Sequence, residues 1–145
     1  MPVNLLKTAA GLQEIDQLIA RQSGGKMRYD GKAATYAYTR FVPKRADEII
    51  ESGGSIYWIL KNRIQVRQKI YGFEIVQEKG EKDWCKIIVD PQLILTMAKP
   101  KRAIQGWRYL DDKDTPKDRG PYFAGLSDNE PPPEMAEELR KAGLI

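Results

Sequence analysis

Arg63-Ile64-Gln65-Val66-Arg67-Gln68-Lys69-Ile70 is the stretch that decides how this chain folds. Strand side chains alternate between two faces, so a period of two puts Arg63, Gln65, Arg67 and Lys69 on one side and Ile64, Val66 and Ile70 on the other. The segment reads as a cationic ribbon backed by core. Residues 55–60, just before it, form a short apolar and aromatic run between turn signals, the pattern of a strand buried on at least one face. Residues 73–77 and 84–89 flank a polar, glycine-containing loop and predict a β-hairpin.

Working outward, residues 3–7 predict a first strand, and Ile15, Leu18 and Ile19 at helical spacing predict a helix over 13–22 that Gly24-Gly25 stops. Residues 35–41 carry the β-branched and aromatic content of a strand. Pro43 suits the first turn of a second helix, where its missing N–H is not needed; Ala46, Ile49 and Ile50 then face inward, and Gly53-Gly54 ends the helix. Residues 93–97 and 103–110 predict two more strands. From Asp111 onward Asp, Lys, Gly and Pro accumulate, and Pro131-Pro132-Pro133 precedes a short helix over 134–141. The expected fold class is α+β: one domain over 1–125 with a small mixed or mostly antiparallel β-sheet or barrel of six or seven strands and two or three flanking helices. A Pro-rich acidic segment, 126–145, follows it.

At 145 residues the chain is long enough to bury a core without staples. Cys85 is the only cysteine and there is no histidine, so an intramolecular disulfide and a Cys/His zinc site are excluded by arithmetic. A reducing compartment, the cytoplasm, is expected; no apolar run approaches the ~20 residues of a membrane span, and the start lacks the layout of a secretion signal. The net charge of +4 is unevenly spread. From 26 to 69 there are ten Lys/Arg against four Asp/Glu, and from 111 to 145 five against nine, enough to create a positive field over one face.

Without histidine the commonest general base and every Ser-His or Cys-His nucleophile pair are missing. Gly125-Leu126-Ser127-Asp128-Asn129 lacks the second glycine of a nucleophile elbow, and Gly24-Gly25-Lys26 and Gly53-Gly54-Ser55 read as turns, not phosphate loops. Cys85 reads as an inert buried thiol, and Asp111, Asp112 and Asp114 as solvated acids. No catalytic residue, metal or cofactor is therefore assigned. What remains is a cationic set, Arg40, Lys44, Arg45, Arg63, Gln65, Arg67, Lys101, Arg102 and Arg108, interleaved with Trp107, Tyr109, Tyr57 and Trp58. Pro43-Lys44-Arg45-Ala46 recurs as Pro100-Lys101-Arg102-Ala103. Lys and Arg neutralise phosphates, Gln reads base edges and aromatic faces stack on unpaired bases, so the expected function is non-catalytic binding of RNA or a modified nucleotide. The bland reading is a strand face that meets only water, with Tyr57 and Trp58 as core. Two alternatives stand beside it: a hydrolase of modified nucleobases or nucleosides using Lys61 or Tyr57 with Glu74, and a protein-interaction module docking through the acidic tail.

Thr39-Arg40-x-x-Pro43-Lys44-Arg45, Gly53-Gly54-Ser55-x-Tyr57-Trp58, Arg67-Gln68, Asp90-Pro91 and Gln105-Gly106-Trp107-Arg108-Tyr109-Leu110 resemble the signature blocks of domain of unknown function 1489, an alphaproteobacterial family. The resemblance runs from Leu5 to Gly143-Leu144 and implies a bacterial protein without an assigned activity. In the family pattern a His precedes the Thr-Arg pair by two residues; this chain has Ala37 there. The order of elements, a helix ending in glycines, a strand and then a strand meander, also resembles the small barrels of the PUA superfamily with its ASCH and EVE branches, which implies RNA or modified-base binding.

Overall fold

The computed structural model describes residues 2–77 and 83–122. Its elements are β1 (Asn4–Thr8), α1 (Ile15–Ser23), β2 (Met27–Tyr29), β3 (Lys32–Thr39), α2 (Ala46–Ser52), β4 (Ser55–Leu60), β5 (Arg63–Gln77), β6 (Asp83–Val89), β7 (Ile94–Pro100), β8 (Trp107–Leu110), a 3-10 turn (Asp112–Asp114) and β9 (Asp118–Pro121). Two-residue turns join β2 to β3 and β4 to β5. Asp30 and Gly31 (φ 51° and 77°), and Lys61 and Asn62 (φ 51° and 58°), take the left-handed conformations whose twist matches the strands they connect.

The two strands expected over 63–70 and 73–77 are one, and the 15-residue β5 is the spine of the sheet. Its first half lies between β4 and β7, and its second half pairs with β6. The strand order is β2-β3-β6-β5-β4-β1-β8, with β9 beyond β7, and β1/β4 is the one parallel pair among the described strands. The sheet is open, so the expected barrel does not form. Closure requires the terminal strands to hydrogen-bond, and among the described residues β2 pairs with β3 and β8 with β1.

α1 and α2 cover one face of the sheet, where Ile15, Leu18 and Ile49 meet Leu5, Ile56, Trp58, Val66, Ile70, Ile87 and Val89. A second, smaller cluster of Leu6, Tyr57, Ile59, Ile64 and Leu110 fills the other face of the central strands. All six residues of β4 are buried, because core lies on both of its sides. α2 starts later than its Pro43 suggests: the proline carbonyl accepts the Ala46 N–H in a turn ahead of the helix, and Ile50, expected inward, is 41% exposed. Gly53, at φ 74°, ends the helix, its N–H and that of Gly54 reaching the Ile50 and Ile49 carbonyls. β2 and β9, short and polar, were not expected from the sequence; the acidic segment 126–145 lies outside the described residues. No helix among the described residues is long and apolar enough to cross a membrane.

Candidate functional site

The cationic ribbon expected over 63–69 is broken at Gln65. Trp58 pairs with Val66 but Ile59 pairs with Ile64, so Gln65 is the extra residue of a β-bulge and the parity of the strand reverses there. Ile64 joins the smaller cluster while Val66 joins the main core. Arg63 and Arg67 therefore face opposite sides of the sheet, opposite Leu60 and Tyr57 respectively. Gln65 donates to the Leu60 carbonyl at 2.7 Å. Arg67 makes a two-pronged ion pair with Asp118 of β9 (2.8 and 2.7 Å) and donates to Ser55 Oγ at 2.9 Å. This pairing raises the guanidinium pKa and holds the Asp118 carboxyl below its ordinary range.

The other expected residues are dispersed. Arg45 pairs with Glu48 at 2.9 Å, and its guanidinium lies 5.4 Å from the centre of the Tyr109 ring, whose hydroxyl accepts the Arg45 N–H. Lys44 is exposed in the turn before α2, and Arg102 is exposed in the irregular segment after β7, so the second Pro-Lys-Arg forms no turn. Trp107 packs against the main core, with Tyr109 edge-on to it at 4.9 Å. Arg108, between them, points to the opposite face, across from Leu6, and borders a cavity with Lys101. Arg45 thus meets one partly exposed ring, while Arg40 joins a larger aromatic group.

That group occupies the face of β3-β6-β5 turned away from the core. Cross-strand partners share a face, and three rows run across it: Tyr36·Ile88·Gly72, Tyr38·Lys86·Glu74, and Arg40 beside Trp84·Val76. The Lys86 ammonium lies 4.3 Å above the Tyr36 ring, which meets Tyr38 edge-on at 5.1 Å. The Arg40 guanidinium lies 4.6 Å from the Phe41 ring and 5.8 Å from the Trp84 ring, and it donates to the Asp83 carbonyl. Lys32, on the β2/β3 hairpin, lies 5.2 Å from the Tyr71 ring. These contacts hold each cation against an aromatic face. Tyr38, Trp84 and Phe41 remain 45%, 41% and 68% exposed. At the Arg40 end, Phe41, Val42, Ile75 and Trp84 line a groove of about 390 Å³.

Two glycines make the platform possible. A Cβ on Gly72 would lie 2.3 Å from the Tyr29 hydroxyl, and one on Gly25 would lie 2.9 Å from the Tyr36 ring, so both tyrosines rest directly on backbone. The sequence carried a signal for this face: Tyr36, Tyr38 and Arg40 alternate at period two, as do Trp84 and Lys86. Arg40 apart, which belongs to the expected cationic set, these residues read only as strand formers.

The residues suggested for hydrolysis do not converge. Lys61 sits in the β4/β5 turn and pairs with Glu14. Tyr57 is buried on the smaller-core face, where burial raises its phenol pKa and a hydrogen bond with Thr115 opposes the rise. Glu74 lies seven residues beyond Arg67, the strand partner of Tyr57, roughly 20 Å along β5. Cys85 is buried, and burial raises its thiol pKa. Among the described residues no group of three or more His, Cys, Asp or Glu side chains is placed to hold a metal.

No curated protein and no solved structure matches the chain. The family model described as protein of unknown function (DUF1489) matches residues 5–145, and the chain belongs to that family.

Proposed function

We propose that this protein binds single-stranded RNA, without catalysis, on the open face of β3, β6 and β5. The observation that carries the reading is that exposed Tyr38 and Trp84 share one sheet face with the half-buried Tyr36, Lys86 and Arg40, aromatic rings alternating with cations. Unpaired bases stack on aromatic faces whatever their identity, and cations between the rings neutralise the connecting phosphates. Tyr36 to Arg40 spans four residue steps, about 13 Å of strand, the length of about two nucleotides. A duplex hides its base faces, so this surface favours single strands. Arg67 and Arg45 supply little of the field, because carboxylates already neutralise them.

Fluorescence anisotropy of the full chain with a labelled single-stranded RNA, at two salt concentrations, tests the reading. Tyr38→Ala and Trp84→Ala are each expected to weaken binding by about 1–3 kcal/mol, or about 5- to 150-fold. Lys86→Gln is expected to lower the slope of log K against log salt by about 1. Absence of binding at low salt, or affinity indifferent to the Tyr38→Ala/Trp84→Ala double change, refutes it.

A further inference from the structure

At the other end of β5, on the smaller-core face, lies a cavity of about 420 Å³, within the size range of small-ligand sites. Leu6, Ile64 and Leu110 provide apolar lining, and Lys99, Lys101 and Arg108 bring three positive charges from β7, the irregular segment after it and β8. Asp111 and Asp114, from the 3-10 turn region, complete the polar wall. Among the described residues none of these three cations makes an ion pair. Lys99 donates to the Asp114 backbone carbonyl, and among the described residues the side chains of Lys101 and Arg108 make no hydrogen bond. Arg108 is held on β8 by its pairing with β1, and the Lys101 backbone is tied to the Asn62 carbonyl. The charges are therefore positioned by backbone, not by each other.

We propose that this cavity binds a nucleoside monophosphate or a phosphate ester of the same chemistry. Lys101 and Arg108, with Lys99, take the phosphate through charge-assisted hydrogen bonds. The Asp111 and Asp114 carboxylates accept from hydroxyl or amino groups, because an ionised carboxylate is an acceptor only. Leu6, Ile64 and Leu110 are core residues that form only the floor of the cavity, so recognition beyond the phosphate falls to the two carboxylates. This site is separate from the RNA-binding face: Ile64 and Glu74 are ten residues apart, about 30 Å of strand.

Isothermal titration of the full chain with adenosine monophosphate, adenosine and inorganic phosphate distinguishes the possibilities. The monophosphate is expected to bind more tightly than either fragment. Arg108→Gln and Lys101→Gln are each expected to weaken it by about tenfold, the loss of a charge-assisted hydrogen bond. Asp114→Asn should weaken the monophosphate while leaving inorganic phosphate equal or tighter, since a repelling charge has gone. All three side chains are exposed, so circular dichroism should show unchanged folding. Lys86→Gln, on the RNA face, should not alter the titration, and the monophosphate should not displace bound RNA. No heat at millimolar ligand, binding indifferent to Arg108→Gln, or phosphate binding as tightly as the monophosphate overturns the proposal, whatever becomes of RNA binding.

Discussion

Replacing Gln68 by Leu removes the hub of a buried polar network while nearly conserving volume. Gln68 is fully buried; its Oε1 accepts from the Trp58 indole at 2.9 Å and from Gln22 Nε2 at 2.8 Å, and its Nε2 donates to Gln22 Oε1 at 2.8 Å and to the Asp90 carbonyl at 2.9 Å. The indole can only donate, which orients the Gln68 amide and, through it, Gln22. With Leu at this position the Trp58 N–H and the Gln22 amide are left without partners in sites 3% and 7% exposed, whereas water can reach the half-buried Asp90. Two buried orphans cost about 2–6 kcal/mol, and the apolar gain of Leu over an amide returns roughly 1 kcal/mol. A net loss of about 3 kcal/mol, with a urea slope of about 2 kcal/mol/M, lowers the unfolding midpoint by about 1.5 M. Urea titration followed by tryptophan fluorescence measures it. The Gln22→Leu/Gln68→Leu double change should cost at least about 1 kcal/mol less than the sum of the single changes, because it removes both sides of the amide pair. A midpoint shift below roughly 0.3 M for Gln68→Leu, or strict additivity in the double change, refutes the network argument.

Asp118 should give the protein an acid-sensitive contribution. Its pKa is lowered in the folded state by the hydrogen bonds from Arg67, so the stabilisation is complete above the unfolded value of about 3.9 and is lost as pH falls through the lower folded value. The carboxylate side chain is 45% exposed, which limits the contribution to about 1 kcal/mol at neutral pH. Asp118→Asn should flatten the acid limb of a stability-versus-pH profile, and a profile that superimposes on wild type contradicts this. Gly54→Ala should be more damaging than Gly53→Ala. A Cβ on Gly54 would lie 1.9 Å from the Val3 backbone carbonyl, displacing the chain beside β4 at a cost of about 3 kcal/mol or more, whereas Gly53 only loses its free left-handed conformation, about 1 kcal/mol. The reverse order of melting temperatures would show that the strand gives way easily.

The local patterns were legible wherever one physical rule decided them. Helical spacing located α1, β-branched and aromatic content located β3, an apolar run between turn signals located β4, a polar glycine-containing loop marked the β5/β6 hairpin, and Gly53-Gly54 marked the end of α2. Sheet order was not legible, because the parallel β1/β4 pair and the β8 and β9 additions join segments far apart in sequence. The charges were legible as residues but not as a site. Arg45 and Arg67 are committed to Glu48 and Asp118, and nothing in a linear reading reveals that Asp118, 51 residues away, returns to Arg67. Arg67-Gln68 and Ser55-x-Tyr57-Trp58, which carried the family resemblance, meet across the β4/β5 pair in the Arg67–Ser55 and Gln68–Trp58 hydrogen bonds. Those signature residues are therefore bound into the scaffold, while the exposed aromatic face lies mainly outside the quoted blocks.

Both candidate sites arise from the same departure from strict alternation. Without bulges, every even-numbered residue of β5 from Ile64 to Glu74 would face the helices. The bulge at Gln65 reverses the parity of Ile64, turning it toward the cavity bordered by Lys101 and Arg108. The register step between Ile70 and Gly72 leaves Tyr71 as a second extra residue and reverses parity again, so Gly72 and Glu74 face outward beside Ile88 and Lys86 while Phe73 packs against the core. Between the bulges Val66, Gln68 and Ile70 keep the helix-facing side. A bulge consumes one residue without a partner and rotates the rest of the strand. One 15-residue strand can thus anchor the core at its middle and contribute to two separate surfaces at its ends, an arrangement hidden from a rule that assigns faces by counting residues in twos.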